Sequence, residues 1–333
     1  MTIENANNKI KWGIISTGWI AHQFVTDLAH SSNGVAYAVG SRSQESADEF
    51  AQNHGVAKAY ATYEDLVNDP EVDAVYIGTP HPFHKENALL ALRAGKAVLC
   101  EKPFTVNSRE LEEVIAFARE KKLFLMEAMW SRYIPAMVKV REWIAAGRIG
   151  EARLVKADLG FRTEWNPEGR LLNPQLGGGA LLDVGIYPIS FASMVFGPHP
   201  EKILSTAHIG ETGVDEHFSM ILSYEGGKAA SLNAAVRLNT LEEAHVFGTE
   251  GHIIVQGTLV NPKSAALYVG GELVETFEDD RSSIGYVFEA EEVGRCLQAG
   301  LTESPIMPLD ESLALLKLLD EVRAQWGLVY PGE

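Results

Sequence analysis

Cys100-Glu101-Lys102-Pro103 closes an apolar run, and about seventy-five residues later comes Gly177-Gly178-Gly179-Ala180-Leu181-Leu182-Asp183-Val184-Gly185-Ile186-Tyr187. The first stretch delivers a lysine at the end of an expected strand, and the second sets a carboxylate and a phenol four residues apart. A tyrosine is a poor base at neutral pH, because its reference pKa is about 10. A neighbouring ammonium favours the phenolate and lowers that value. Lys102, Asp183 and Tyr187 brought together could therefore handle the proton of an alcohol while a nicotinamide takes the hydride. In that arrangement Tyr187 exchanges the hydroxyl proton, and Lys102 orients the same hydroxyl and tunes the phenol. Asp183 positions Lys102 or a second hydroxyl. Each residue alone has a plainer reading, Lys102 as a surface lysine after a strand and Tyr187 as a core aromatic on a helix. The triple glycine, which lets other groups approach the backbone closely, and an expected helix with Asp183 and Tyr187 on one face at i, i+4 favour the chemical reading.

The elements that must hold these residues follow from apolar periodicity. Strands are expected at Ile10 to Ser16, Val35 to Gly40, Val72 to Gly78, Ala97 to Cys100 and Leu123 to Met126. Helices are expected at Trp19 to Leu28, Ser43 to Gly55, Lys85 to Ala94 and Ser108 to Lys122, with Ser43 as N-cap and Gly55 just past the end. Repeated strand–helix units of this length imply a doubly wound parallel sheet that binds ligands at the carboxyl ends of its strands. After a helix at Val138 to Ala146 the pattern turns β-rich: Ala152 to Leu159, Ile203 to His208, Phe218 to Tyr224, Ala229 to Val236, His252 to Val255 and Ala265 to Val269. Gly226-Gly227 and Gly270-Gly271 read as hairpin turns, and helices at Val287 to Ala299 and Asp310 to Trp326 close the chain. The fold class is α/β, with a dinucleotide-binding domain at 1–128 and a second α+β domain on an open, mainly antiparallel sheet at 129–333.

Ser16-Thr17-Gly18-Trp19-Ile20-Ala21 lies where the first strand meets the first helix. It has the G-x-G-x-x-G layout with Ser for the first glycine and Ala for the third. Gly18 lets the backbone approach a pyrophosphate, and the helix start supplies amide donors. The second strand ends in Gly40-Ser41-Arg42-Ser43, with no carboxylate for a ribose hydroxyl, whereas Arg42 can pair with a 2′-phosphate. NADP is therefore expected over NAD, with Ser41 and Arg42 in its site. Gly78, Thr79, Pro80 and His81, at the end of the strand beginning at Val72, are further cofactor candidates. His81-Pro82-Phe83-His84 does not have metal-ligand spacing on a helix, and no metal is expected.

Composition narrows the classes. At 333 residues two domains are the default. A net charge of -17 repels nucleic acids and anionic membranes. The two cysteines, Cys100 and Cys296, lack metal or redox spacing and fit a reducing cytosol. Met1 to Asn8 is polar with no leader-like apolar core, and no window of about 18 continuous apolar residues marks a membrane span. Phe161, Trp165 and Tyr286 could wall a substrate pocket for a sugar face or an aromatic diol, and the Glu289, Glu291, Glu292 cluster reads as a solvated helix face.

The chain resembles the Gfo/Idh/MocA oxidoreductase family, and within it the group of dimeric dihydrodiol dehydrogenases and NADP-dependent D-xylose dehydrogenases. The resemblance rests on Lys11 to Ser16, Tyr76-Ile77-Gly78-Thr79 with His81 and His84, Ala94 to Pro103, Leu125 to Trp130, the Gly177 to Tyr187 segment, and Glu303-Ser304-Pro305 with Glu321-Val322-Arg323. It implies a Rossmann domain followed by an α/β domain whose open sheet often forms a dimer interface. It implies that Lys102, Asp183 and Tyr187 are the reacting group, that Trp130 and Arg132 lie near the nicotinamide, and that His84 and Glu101 line the cofactor cleft. Many members carry His at the position of Tyr187, and Tyr points to the dihydrodiol and aldose subgroup. The expected activity is cytosolic, NADP-dependent hydride transfer from a sugar or cyclic diol hydroxyl, by a homodimer or homotetramer. The alternatives are reduction of a keto or anhydro sugar, and a non-catalytic NADP-binding regulator on the same fold.

Overall fold

The computed structural model describes residues 9–333, so the reading of Met1 to Asn8 lies outside the described residues. The chain forms two compact units. The first begins with β1 (Ile10–Ile15), α1 (Trp19–Leu28), β2 (Gly34–Gly40), α2 (Gln44–His54), β3 (Lys58–Tyr60), α3 (Tyr63–Asn68) and β4 (Ala74–Ile77). It continues through α4 (His84–Arg93), β5 (Ala97–Glu101), α5 (Ser108–Lys121) and β6 (Leu125–Ala128). The six strands lie in the order β3-β2-β1-β4-β5-β6 and are parallel throughout. The order reverses between β1 and β4, which is where such a sheet opens a crevice at its carboxyl edge. Every residue of β4, β5 and β6 is buried, as a sheet covered on both faces requires. α1 turns Phe24 onto Tyr76, ring on ring at 3.8 Å, and edge-on to Trp12 at 5.5 Å. Each such fully buried apolar side chain stabilises by about 1.5–3 kcal/mol. Ser43 caps α2 as expected, and Gly55 ends it in the left-handed region at φ 66.

The second unit contains α6 (Pro135–Ala145), β7 (Ala152–Gly160), α7 (Ile186–Phe196), β8 (Lys202–Ile209), β9 (Asp215–Tyr224) and β10 (Lys228–Ala235). It adds β11 (Ala244–Gly248), β12 (Gly251–Gln256), β13 (Ser264–Val269) and β14 (Glu272–Glu278). These strands form one eight-stranded sheet ordered β14-β13-β12-β11-β7-β10-β9-β8. The pairings are antiparallel except β7 with β10, so the sheet is mainly antiparallel. α6 and α7 cover one face. The other face carries Leu204 opposite Ile221, both about half exposed, and a ring ladder of His245, Phe247, His252 and Tyr268.

Two helices remain, α8 (Val287–Gln298) and α9 (Leu309–Trp326). Residues 282–313, expected within a second domain running from 129, pack with the first unit instead. The cause is polar and specific. The buried Asp27 carboxylate on α1 accepts the amides of Ile284, Gly285 and Val287 at 2.6–2.8 Å, and Leu125 N–H donates to Thr302 O at 3.0 Å. The stretch Pro174–Phe196 is long enough to cross a membrane and holds an 18-residue window of mean hydropathy 1.5, but 83% of that window is buried inside the protein as core.

Candidate active site

The β1–α1 turn is built for an anion. Ser16 sits at φ 124, a conformation that glycine adopts freely and other residues rarely do. Its hydroxyl oxygen accepts the Gly18 N–H at 3.0 Å, which offsets part of that strain. Gly18 is the N-cap of α1 and offers no side-chain cap to the first turn. The nearest atom a Cβ at Gly18 would meet is Ser16 Oγ at 3.2 Å. A bare backbone, an uncapped helix start and the positive end of the helix dipole suit the pyrophosphate of a nicotinamide dinucleotide. A Cβ at Gly78, just past β4, would lie tight against Tyr76 and Ile20, at 3.0 and 3.1 Å. That packing brings the β4 end against the start of α1. Trp19 is exposed there. Thr17 and Ser41 hydroxyls meet at 3.5 Å, and Ser41 N–H is held by Tyr60 O at 3.0 Å. Arg42 follows on the surface, near enough to Tyr63 for its cation to favour ionisation of a phenol that burial pushes up.

The β5 edge carries the lysine. β5 ends at Glu101, Lys102 follows directly, and the Lys102–Pro103 peptide is cis. Glu101 is buried, accepting Tyr76 O–H at 2.6 Å and the Lys102 backbone N–H at 3.3 Å. His84 lies at the start of α4 and is fully buried. Its Nδ1 is 2.8 Å from Pro103 O and its Nε2 is 2.7 Å from Thr79 O. Both ring nitrogens thus face backbone carbonyls. The ring braces the Thr79 loop against the lysine loop. Burial is the main influence lowering the His84 pKa, opposed by those carbonyls and reinforced by the Lys102 charge. Asn87 donates to Thr79 Oγ1 at 3.1 Å and completes the brace, and His81 packs edge-on to His84 at 5.7 Å. Pro80 opens this turn as its extended N-cap.

Trp130 and Tyr286 stack at 4.2 Å with 15° between their planes. The two residues, expected at the cofactor and at the substrate respectively, form one stacked pair. Tyr286 is buried, and burial, then the charges of Glu101, Glu289 and Asp27, raise its pKa. Glu289, expected on a solvated face, is fully buried, and its pKa is raised by burial and by Glu101 and Asp27.

In the second unit, Gly177 to Tyr187 runs from a glycine turn into a helix, but not a uniform one. Leu181–Gly185 is a π turn, and α7 follows from Ile186. Pro188 cannot donate the i→i−4 bond that Val184 would accept, so the ladder widens ahead of it. The i, i+4 argument for a shared face assumed an α-helix throughout and does not apply over this turn. Asp183 and Tyr187 are both buried, and Asp183 forms an ion pair with Arg170 from the preceding loop. Gly185 has Phe218 of β9 where a side chain would stand, its ring carbons 2.6 and 2.7 Å from a Cβ. Arg132 is buried in this unit, donating to Ser190 Oγ at 2.9 Å and Ser190 O at 2.8 Å. Trp165 is exposed beneath the Arg237 guanidinium at 5.6 Å, and Phe161 is half-buried just past β7.

Sequence reasoning missed Arg170, Asp215 and Tyr330, which support this segment. Tyr330 O–H donates to Gly178 O at 3.1 Å, and Asp215 accepts Leu181 N–H at 2.6 Å. No local pattern marks them, because their partners lie 13 to 152 residues away in sequence.

Residues 10–129 match the model of an oxidoreductase family with an NAD-binding Rossmann fold, and residues 137–254 match the GFO/IDH/MocA C-terminal domain. The chain belongs to the Gfo/Idh/MocA oxidoreductase family. Among its relatives is trans-1,2-dihydrobenzene-1,2-diol dehydrogenase of Mus musculus, 43% identical over 97% of this chain and 98% of the relative. A 3-ketoreductase from Actinomadura kijaniata, solved with NADP and TDP-benzene, is 26% identical with a TM-score of 0.84, covering 95% of this chain and 98% of that one. An aldose-aldose oxidoreductase from Caulobacter crescentus, solved with glycerol, shares the fold at 23% identity and a TM-score of 0.86, covering 96% and 98%. As a Gfo/Idh/MocA member the protein is an NAD(P)-dependent oxidoreductase.

Proposed function

We propose that this protein oxidises a secondary alcohol or hemiacetal hydroxyl of a sugar or cyclic diol with NADP. The observation that carries the reading is a full-length likeness to dihydrodiol dehydrogenases in a chain that keeps a lysine directly after β5 and an Asp and a Tyr on the π turn and α7. The bound nicotinamide supplies the hydride acceptor. Tyr187 takes the substrate hydroxyl proton as the C–H bond breaks, and Lys102 orients that hydroxyl and favours the phenolate. Asp183, anchored by Arg170, positions the ammonium or a second substrate hydroxyl. Glu101, Trp130 and Arg132 help shape the nicotinamide end, and Phe161, Trp165 and Tyr286 offer apolar surface to a sugar face or an aromatic ring. Structures of the Actinomadura kijaniata enzyme with a lysine changed to alanine or glutamate, and with a tyrosine changed to phenylalanine, involve the same two residue types.

NADP is preferred over NAD through Arg42, supported by the surface guanidinium after β2 and by the NADP complexes of the solved relative. Arg42→Ala should raise KM for NADP about 10- to 100-fold, the loss of one charge-assisted contact, with KM for NAD little changed. An equal change for both cofactors removes the preference. The reverse reaction, reduction of a keto sugar, uses the same residues, and the 3-ketoreductase relative favours it as the second direction. The reading includes a cytosolic homodimer or homotetramer joined through the uncovered sheet face. Two buried free cysteines and the exposed Leu204 and Ile221 support it. The test is cofactor absorbance with aldoses, inositols and dihydrodiols in both directions. No turnover with any of them, while NADP binds, would favour a regulator.

A further inference from the structure

Asp215 opens β9 and is fully buried in the second unit. Its Oδ2 accepts Leu181 N–H at 2.6 Å, and the amides of Ala180 and of Asp215 itself also favour its charged form. Its Oδ1 has no hydrogen-bond partner among the described residues and occupies the space where a Gly179 side chain would stand. Gly179 itself sits at φ 118. This carboxylate therefore lies against three consecutive residues, Gly179 to Leu181, immediately ahead of Asp183 and Tyr187. Tyr330, whose hydroxyl holds Gly178 O, is the titratable group that feels Asp215, with Arg323 and Glu333 acting on Tyr330 in turn. Asp183, two residues past Leu181, is paired with Arg170.

We infer that Asp215 is a positioning residue: its buried carboxylate fixes the start of the π turn and so the presentation of Asp183 and Tyr187. The inference rests on the catalytic reading of those two residues given above. Burial dominates over the three amides and raises the Asp215 pKa from the ordinary 3.8 to about 7. The charged form, which is the stronger acceptor for the Leu181 amide, thus gains population as pH rises through neutrality. A carboxylate kept in so unfavourable a place fits a positioning role better than a packing one.

The test is kcat of Asp215→Asn relative to the unaltered protein across pH, at saturating NADP. Asparagine resembles the protonated acid, so the ratio should be near one at about pH 5 and fall to about one tenth by about pH 8.5, while KM for NADP stays constant. Titrations shared by both proteins cancel in the ratio. A ratio that stays near one, or that is equally low at every pH, overturns the inference. Should Asp215→Asn fail to fold, amide exchange of Leu181 in the unaltered protein, corrected for its intrinsic rate, replaces it. Protection should drop as pH falls through about 7, and protection independent of pH overturns the inference. A Tyr187→Phe protein measured alongside separates the two levels. Full turnover there removes the catalytic reading, whereas an inactive Tyr187→Phe with a flat ratio for Asp215→Asn removes only the role of Asp215.

Discussion

Replacing Gly179 by alanine probes a glycine where backbone conformation and available space both exclude a side chain. Gly179 sits at φ 118, and a Cβ there overlaps Asp215 Oδ1. Holding a non-glycine residue in such a region costs about 1–3 kcal/mol. Displacing the carboxylate costs its hydrogen bond to Leu181 N–H, about 1.5–3 kcal/mol for a charged acceptor. The expected loss for Gly179→Ala is therefore about 2.5–6 kcal/mol. Gly213→Ala is the control, because Gly213 has φ 87 and a Cβ there would meet no atom within 4 Å. It should lose only the conformational part, about 1–3 kcal/mol. Denaturant midpoints with equal slopes, read together with kcat, give the comparison. Gly179→Ala should unfold earlier than Gly213→Ala and lose most of its turnover, while Gly213→Ala keeps its own. Equal midpoints and equal kcat would refute the claim that Asp215 and Gly179 interlock beneath the reacting segment.

The Asp215 shift also sets a pH dependence of stability. Its folded pKa is raised, so its contribution is fully present below about pH 4 and is lost as pH rises toward 7, at up to about 1.4 kcal/mol per unit. The unfolding free energy of the unaltered protein minus that of Asp215→Asn should fall over that window and level off above it. A difference independent of pH contradicts the raised value. Tyr76→Phe removes the 2.6 Å donor to buried Glu101 and should destabilise by about 1.5–3 kcal/mol in denaturant unfolding. An unchanged midpoint would mean Glu101 is held by other partners.

The parallel sheet was legible because β1, β4 and β5 are apolar runs ended by turn residues, and the lysine motif because it follows such a run directly. Short or charged elements were not. β3 is three residues, Lys58–Tyr60, too few to display a period, and β14 carries three glutamates on an exposed strand. α3 was missed although Thr62 accepts Asp65 N–H at 3.1 Å, a Thr-x-x-Asp capping signature present in the sequence. The return of 282–313 to the first unit depends on Asp27, a carboxylate whose role exists only once α1 and α8 meet. Among the candidate residues, Lys102, Asp183 and Tyr187 stood out by type and spacing. Arg170, Asp215 and Tyr330 did not, because burial and distant partners, not local pattern, make them matter. The π turn follows from Pro188 inside the helix, not from the triple glycine at the segment's start.

The central claim is that Tyr187 moves the substrate proton, and turnover of Tyr187→Phe under saturating NADP tests it most directly. With NADP affinity measured separately and unchanged, kcat should fall by about 100-fold or more. A Tyr187→Phe protein that binds NADP normally and turns over near the unaltered rate would contradict the account.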